Sequence, residues 1–353
     1  MDPITHVLLG ASLSYAGFGK KLGRTAAWSG GLAAFVPDAD IFIRSATDPL
    51  LAIEYHRGFT HALLFAPVGA AIVAGVWLAR RRWRPQALAL WLCCLVAYAS
   101  HCLLDAATSY GTQLLWPFSN FRSGWDLISI VDPIFTLALV VGLILALKFQ
   151  KQRLAGAALI FCAGYIGLGA VQHARAVAAQ RQMAQARGHM IERLEVMPTL
   201  ANNLVWRSLY VHRGQIYSDR IRVGWFSTAT VVQGVSLPLV TQTDLTEAEQ
   251  GRNQRHSFER FNWFSEGWVA RKPSDATVLG DMRYSLSAEA FDPIWGIRFT
   301  PPESMAEVEW VNQSKDRRIS VSELWNEISG RDERYQQISE SGSRRDDSGV
   351  AGQ

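Results

Sequence analysis

The chain has 353 residues, 49% of them apolar, and a formal net charge of +4. That is room for two or three domains, with charge too evenly balanced to point to a nucleic-acid partner. Its four cysteines (Cys93, Cys94, Cys102, Cys162) all lie in or beside apolar runs, which excludes a disulfide framework or a zinc-knuckle spacing and leaves them a packing role.

The amino end lacks a basic stretch followed by an apolar core and cleavage site, so it does not read as a removable signal peptide. The first two segments, PITHVLLGASLSYAGF (3–18) and RTAAWSGGLAAFVP (24–37), are short and rich in Gly, Ala and Ser, as in a closely packed helical hairpin. Four apolar runs of 17 to 20 residues follow at 61–79, 85–104, 133–149 and 154–172. At about 1.5 Å per residue, each nearly crosses a hydrocarbon core of roughly 30 Å. The expectation is an α-helical multi-pass membrane domain over 1–173, with four long spans after a short N-terminal hairpin.

Residues 174–199 mix charged and apolar side chains and read as a connecting helix that leaves the membrane. From 200 to 328 the period changes to alternation between turn signals, in NLVWRSLYVHRGQIYSDRIRVGWF, TVVQGVSLPLV, FNWFSEGWVARK, DMRYSLSAEAF, IWGIRFT and AEVEWVN. This predicts a small β-rich domain outside the membrane. Residues 329–353 are polar and are expected to be disordered.

Three connections, GKKLGR (19–24), RRRWR (80–84) and KFQKQR (148–153), hold ten Lys or Arg and no acid. The positive-inside rule puts them in the cytoplasm. His6, Asp38, Asp40, His56, Arg57, His61, His101, Asp105, Asp126 and Asp132 then gather on the opposite face. Ionisable groups near a membrane core are costly, and their gathering on one side marks a site.

His101 and Asp105 in HCLLD are four apart, hence on one helix face, where imidazole and carboxylate can grip one cation. A helical His–Asp hydrogen bond is the plainer alternative. In HRGFTH, His56 and His61 are five apart, which places one in a loop and the other in the first turn of a span. In VPDAD, Pro37 ends a helix and leaves Asp38 and Asp40 on an extended segment, pointing the same way, unless one is a helix cap. Asp132, before Pro133, reads as the cap of the third span. Together these histidines and aspartates form a nitrogen and oxygen donor set suited to zinc or a similar divalent ion. A proton relay would continue through the bilayer, whereas the runs between 62 and 100 and between 134 and 172 hold almost no ionisable group.

MDPITHVLLG, PDAD, HRGFTH, HCLLDAATSYGTQLLWPFS and the DP at 132–133 resemble, in order and spacing, the YdjM-like family of bacterial inner-membrane proteins, regarded as metal-dependent hydrolases. Trp206, Arg207 and Tyr217 are similar to elements of its longer members. The family is in turn similar to zinc-dependent phospholipase C, whose sites place an H-x-x-x-D pair on a helix. The resemblance implies that His101 and Asp105 are that pair and that His6, Asp38 and either His56 or His61 are earlier ligands.

The reading is a membrane-bound hydrolase of the bacterial inner membrane, its site and β domain on the periplasmic side. One or two divalent ions, zinc preferred, would activate water to attack a phosphoester or ester. The metal ligands are drawn from His6, Asp38, His56, His61, His101 and Asp105. Asp38 or Asp40 would serve as bridging ligand or base, and Arg57 would hold a phosphate oxygen. Expected partners are membrane lipids or a lipid-linked substrate. The alternatives are a non-catalytic protein whose metal cluster is structural and whose β domain is a binding module, or a transporter.

Overall fold

Asp2 starts the first helix by accepting the Thr5 N–H at 3.0 Å, and Pro3 occupies the first turn, where its missing N–H needs no partner. The computed structural model describes residues 1–300, 307–314 and 320–338. Helix α1 (Pro3–Leu22) turns at Gly23, whose φ of +60° favours glycine, into α2 (Arg24–Phe35). This is the expected hairpin, and its small residues explain its tightness. A Cβ on Gly30 would collide with Ser14 Oγ and the Gly10 carbonyl, so glycine there lets the two backbones touch.

A 3-10 helix, Val36–Phe42, follows, then α3 (Leu51–Tyr55), a second 3-10 turn (Phe59–His61) and α4 (Ala66–Leu78). A third 3-10 stretch, Arg81–Gln86, leads into α5 (Ala87–Ala106); α6 (Pro133–Phe149) and α7 (Gln152–Ala186) complete the helices of the N-terminal half. The chain divides into a helical unit, residues 1–45 and 51–170, and a second unit, residues 46–50 and from 171 onward. The core of the helical unit is fine-grained: Ala26, Ala33, Ala34, Leu90, Cys93, Cys94 and Ala97 pack together, and all four cysteines are buried thiols.

The four expected spans are not all found. Among the described residues, two helical segments are long and apolar enough to cross a membrane, Arg81–Ala106 and Gln152–Ala186. A third counts only if Leu51–His61 and Ala66–Leu78 form one span bent by 80°. The bend has a local cause: His61 ends a 3-10 turn, residues 62–65 leave the helix, and Pro67 favours a fresh helix start. Helix α6, at 17 residues, is apolar but shorter than those two.

The second unit is β-rich and antiparallel. Strands β1 (Arg193–Pro198), β2 (Val205–His212), β3 (Gln215–Val223), β4 (Ala229–Val232) and β5 (Ser236–Pro238) form one sheet, with β5 beside β3. After α8 (Arg252–Phe264), strands β6 (Val269–Lys272), β7 (Asp275–Asp281), β8 (Trp295–Phe299) and β9 (Val308–Asn312) form a second. Finally α9 (Val321–Ser329) precedes β10 (Gln336–Gln337), which pairs with β4 in a stretch expected to be disordered; 339–353 lie outside the described residues. One face of the first sheet packs Trp206, Tyr210 and Ile221 on Ala176, Ala179 and Met183 of α7.

Three expectations change here. The connecting helix stops at Ala186 instead of running to 199, because Gly188 takes a φ of +70° and 193–198 pair with β2. FNWF belongs to α8, with Phe258, Phe261 and Phe264 buried on one face. The expected strand from 281 to 291 is largely turn and bend, because buried Arg207 gathers the carbonyls of Met282, Ser287, Ala288 and Ala290 and curls the segment around its guanidinium. Burial lowers the Arg207 pKa to about 10, against the opposing pull of Asp281 and Glu289. Trp206 is wholly buried, and Tyr217 stacks on Tyr210 with ring centroids 4.9 Å apart, so this trio holds the sheet together.

Candidate metal centre

Asp38, His61, His101 and Asp105 each offer a ligand atom, and these four atoms lie within 4.8 Å of one another. They come from three places: the 3-10 segment after α2, the turn before α4, and the last two turns of α5. His101 and Asp105 face the same way on α5, with His101 Nε2 3.4 Å from Asp105 Oδ2. His61 Nε2 lies 3.2 Å from the same oxygen, and Asp38 Oδ1 is 3.6 Å from both imidazole Nε2 atoms. All four residues except Asp38 are fully buried.

Hydrogen bonds to the far ring nitrogens decide what the cluster can do. His101 Nδ1 is 2.6 Å from the Ala34 carbonyl, which can only accept, so Nδ1 carries the proton and Nε2 of the neutral ring presents a lone pair. Thr60 Oγ1 donates to Asp40 Oδ2 at 3.0 Å and can therefore accept from His61 Nδ1, also at 3.0 Å; Asp40 Oδ2 is itself 3.2 Å from that nitrogen. When the ring is neutral, this leaves His61 Nε2 as a second lone pair. The two Nε2 atoms are 2.9 Å apart. Asp105 Oδ2, aimed at them, accepts no hydrogen bond, while Oδ1 takes His6 Nε2 and Arg57 Nη2, each at 3.0 Å, and the amino group of Met1.

The four atoms converge closely enough to hold one metal ion. Ligand atoms around a tetrahedral zinc at about 2.0–2.2 Å sit roughly 3.3 Å apart, and the closest contacts here, 2.9–3.6 Å, bracket that spacing. Burial alone would raise the Asp38 carboxyl, but the imidazoles of His61 and His101, each 3.6 Å away, outweigh burial and hold it below the usual range. Asp40 is likewise lowered: burial opposes ionisation, and contacts with His56 and His61 overcome it.

The 3-10 helix separates the two aspartates, so they do not point the same way as an extended strand would have them. Asp38 faces the cluster. Asp40 sits behind it, holding His56 Nδ1 at 2.8 Å, the Arg57 N–H at 2.9 Å and Thr60, in the way a carboxylate orients a ligating imidazole. His56 therefore meets Asp40 instead of the four converging atoms. His6 stacks on His101, centroids 3.7 Å apart, and its Nδ1 is buried without a partner. Arg57, at a φ of +62°, lines the wall through Asp105 and Thr108. Asp132 caps α6 and accepts from Tyr165.

Residues 1–176 match the family described as YdjM inner membrane protein. This half of the chain belongs to that family. The chain is also 35% identical over 107 residues to the inner membrane protein YbcI of Escherichia coli K12, covering 29% of this chain and 61% of that one. It is 30% identical over 142 residues to the uncharacterized protein YfhP of Bacillus subtilis 168, covering 38% of this chain and 42% of that one. The chain thus spans less than two thirds of these relatives' length. No solved structure matches it significantly.

The family match ends inside α7, ten residues before that helix stops, so it covers the whole cluster and none of the sheets. Sequence reasoning missed Thr60, Thr108 and Tyr110, the last stacked under the Arg57 guanidinium at 4.6 Å. HRGFTH and HCLLDAATSY contain all three, but nothing in their spacing distinguishes a ligand's neighbour from a loop residue.

Proposed function

We propose that the helical unit is a metal-dependent hydrolase of the bacterial inner membrane that cleaves a phosphoester or ester, with zinc the preferred ion. The observation that carries this is the convergence of the His61 and His101 Nε2 atoms, 2.9 Å apart, with Asp38 and with an Asp105 carboxylate oxygen that has no hydrogen-bond partner. His61, His101, Asp105 and Asp38 would hold the ion. Two carboxylates and two neutral imidazoles leave such a site electroneutral when filled, which suits burial.

A divalent ion in such a site supplies Lewis acidity toward water and a scissile bond. The protein's own groups do the rest. Asp38, the one partly exposed member of the four and ionised at neutral pH, can take a proton from a water or substrate hydroxyl beside it. Arg57 presents a planar cationic fork, held by Asp105 and Thr108, that can pair with an anionic oxygen. Asp40 keeps His61 in its ligating tautomer.

The polarity of the helices supports a site on the periplasmic side. His6 stands near the start of α1, while Lys20 and Lys21 stand at its end, about 20 Å further along. Arg80–Arg84 precede α5, whose far end carries His101 and Asp105, and Lys148 ends α6. The basic ends are thus those away from the cluster, as the positive-inside rule requires.

Elemental analysis of purified full-length protein tests the reading, comparing wild type with His101→Ala and Asp105→Asn. Wild type is expected to carry bound divalent metal and both variants to lose it, together with turnover of phosphodiester or ester probes. Equal metal content in all three would overturn the site. Metal without turnover of any ester would make the cluster structural.

A further inference from the structure

Between Leu115 and Trp125, five of eleven residues are large and apolar: Leu115, Trp116, Phe118, Phe121 and Trp125. All five are solvent-facing, Phe118 and Phe121 at 83% and 69% exposure. The polar backbone, by contrast, turns inward. Thr112 and Ser123 close the base of the loop with reciprocal main-chain bonds of 3.0 and 2.8 Å, and Arg122 donates to the carbonyls of Tyr110 and Gly111. A loop that satisfies its polar groups on itself and displays aromatic side chains outward is built to leave water.

The same loop is fastened to the metal centre. Gln113 N donates to the Arg57 carbonyl and Leu63 N to the Leu114 carbonyl, each at 3.0 Å, and the Trp116 ring lies 6.0 Å from Phe59, two residues before His61. The 3-10 segment that carries Asp38 and Asp40 also ends in an exposed aromatic, Phe42, at 81% exposure. Its setting identifies the occupant. The loop is bounded by α5, which ends at Ala106 and belongs to a candidate membrane span, and by the shorter apolar helix α6, which begins at Pro133. Tryptophan and phenylalanine at that level, with no carboxylate from 115 to 125 to repel anionic headgroups, suit the lipid interface.

We propose that residues 115–125 form a lipid-docking collar seated at the boundary between headgroups and acyl chains, and that the substrate is an amphiphile presented from the bilayer. Its polar ester reaches the cluster while its apolar tail lies along the collar. The substrate half of this inference rests on the hydrolase reading; the docking half does not.

The test uses full-length protein in nanodiscs of phosphatidylethanolamine and phosphatidylglycerol. Nitroxides are attached at Phe118→Cys and Phe121→Cys, with Asn253→Cys on α8, exposed in the other unit, as the aqueous reference. The native thiols are buried and do not compete. At 118 and 121, collision with oxygen relative to a polar nickel complex should be several-fold higher than at 253. Equal ratios at the three positions would overturn the docking, as would a ratio that rises only when a second protein is added.

For the substrate, the ratio of kcat/KM on a long-chain phospholipid to that on a short-chain soluble phosphodiester should fall about tenfold or more in Phe118→Ser/Phe121→Ser, the scale expected for losing two aromatic contacts. An unchanged ratio would overturn the amphiphile. If wild type cleaves no ester at all, the hydrolase reading has failed, and the nitroxide ratios still decide the docking.

Discussion

Both units bury charge, but they settle it differently. In the β-rich unit each buried cation is answered by groups of the chain itself: Arg283 is held by Asp281 at 2.9 Å, Glu266 at 2.8 Å and the Phe264 carbonyl, Arg220 by Glu327 and Asp332, and Arg207 by four carbonyls. In the helical unit, by contrast, Asp105 Oδ2 is buried beside the Nε2 atoms of His61 and His101 with no hydrogen-bond partner among the described residues. A closed set of partners is what a fold needs for stability. An open set of acceptors held in register by surrounding hydrogen bonds is what a ligand site needs, because the missing member comes from outside.

The contrast can be broken most forcefully at the pair that is buried on both sides. Asp281→Ala leaves Arg283 in the interior short of its main partner and should cost about 3–5 kcal/mol of β-unit stability. Denaturation followed by circular dichroism measures that loss, and elemental analysis should find the metal content unchanged. A matched loss of metal would show that the two units are not independent in this respect.

Chelation examines the other side. A site filled at about 100 times its dissociation constant contributes about 2.7 kcal/mol, so stripping the metal should lower the melting temperature of the helical unit, followed by helical ellipticity, while the β signal stays in place. No shift would mean that the acceptors are neutralised by protons instead. Asp40→Ala, which frees His61 Nδ1 from its orienting carboxylate, should weaken metal affinity by about 10–100-fold, read by competition with a chromophoric chelator. His56→Ala, one contact further out, should do less.

The smallest effect concerns acid. Asp332 is held below the usual carboxylate range, first by its hydrogen bond to Arg334 and also by Arg220. A lowered carboxylate stabilises the fold above its unfolded pKa of about 3.9, and the contribution is lost as pH falls through the folded value. Asp332→Asn should therefore unfold more readily than wild type at pH 7, with the difference shrinking below pH 4. A gap of constant size would remove the charge from the explanation.

How much of this could be read in advance depended on how local the cause was. His101 and Asp105 share a helix face by spacing alone, and the Gly, Ala and Ser content of the first two segments does signal a hairpin. The β2–β3 hairpin shows in its alternation. The bend at 62–65 did not show, since an apolar run has the same composition whether straight or broken, and Pro67 also suits a helix start. Asp38 and Asp40 stood out in the sequence, but their different surroundings follow from a 3-10 turn that two-residue spacing cannot tell from a strand. In α8, Phe258, Phe261 and Phe264 recur every three residues, yet the charged positions at 252, 255, 259 and 260 mask the stripe. The segment 281–291 alternates well enough for a strand, and only the distant Arg207 prevents it from being one.

The hydrogen bond from His101 to the Ala34 carbonyl has a consequence for how such a site tolerates change over time. A side-chain partner can be erased by a single substitution, whereas a peptide oxygen belongs to every residue type alike. With two lone pairs it can serve His101 at the end of the helix, where the chain tightens into a 3-10 turn at 36–42. What has to be inherited there is a backbone position, not a polar side chain. Position 34 must stay small all the same, because Ala34 is wholly buried in the helix core and sits against Gly10, so what is held constant there is room for a close backbone.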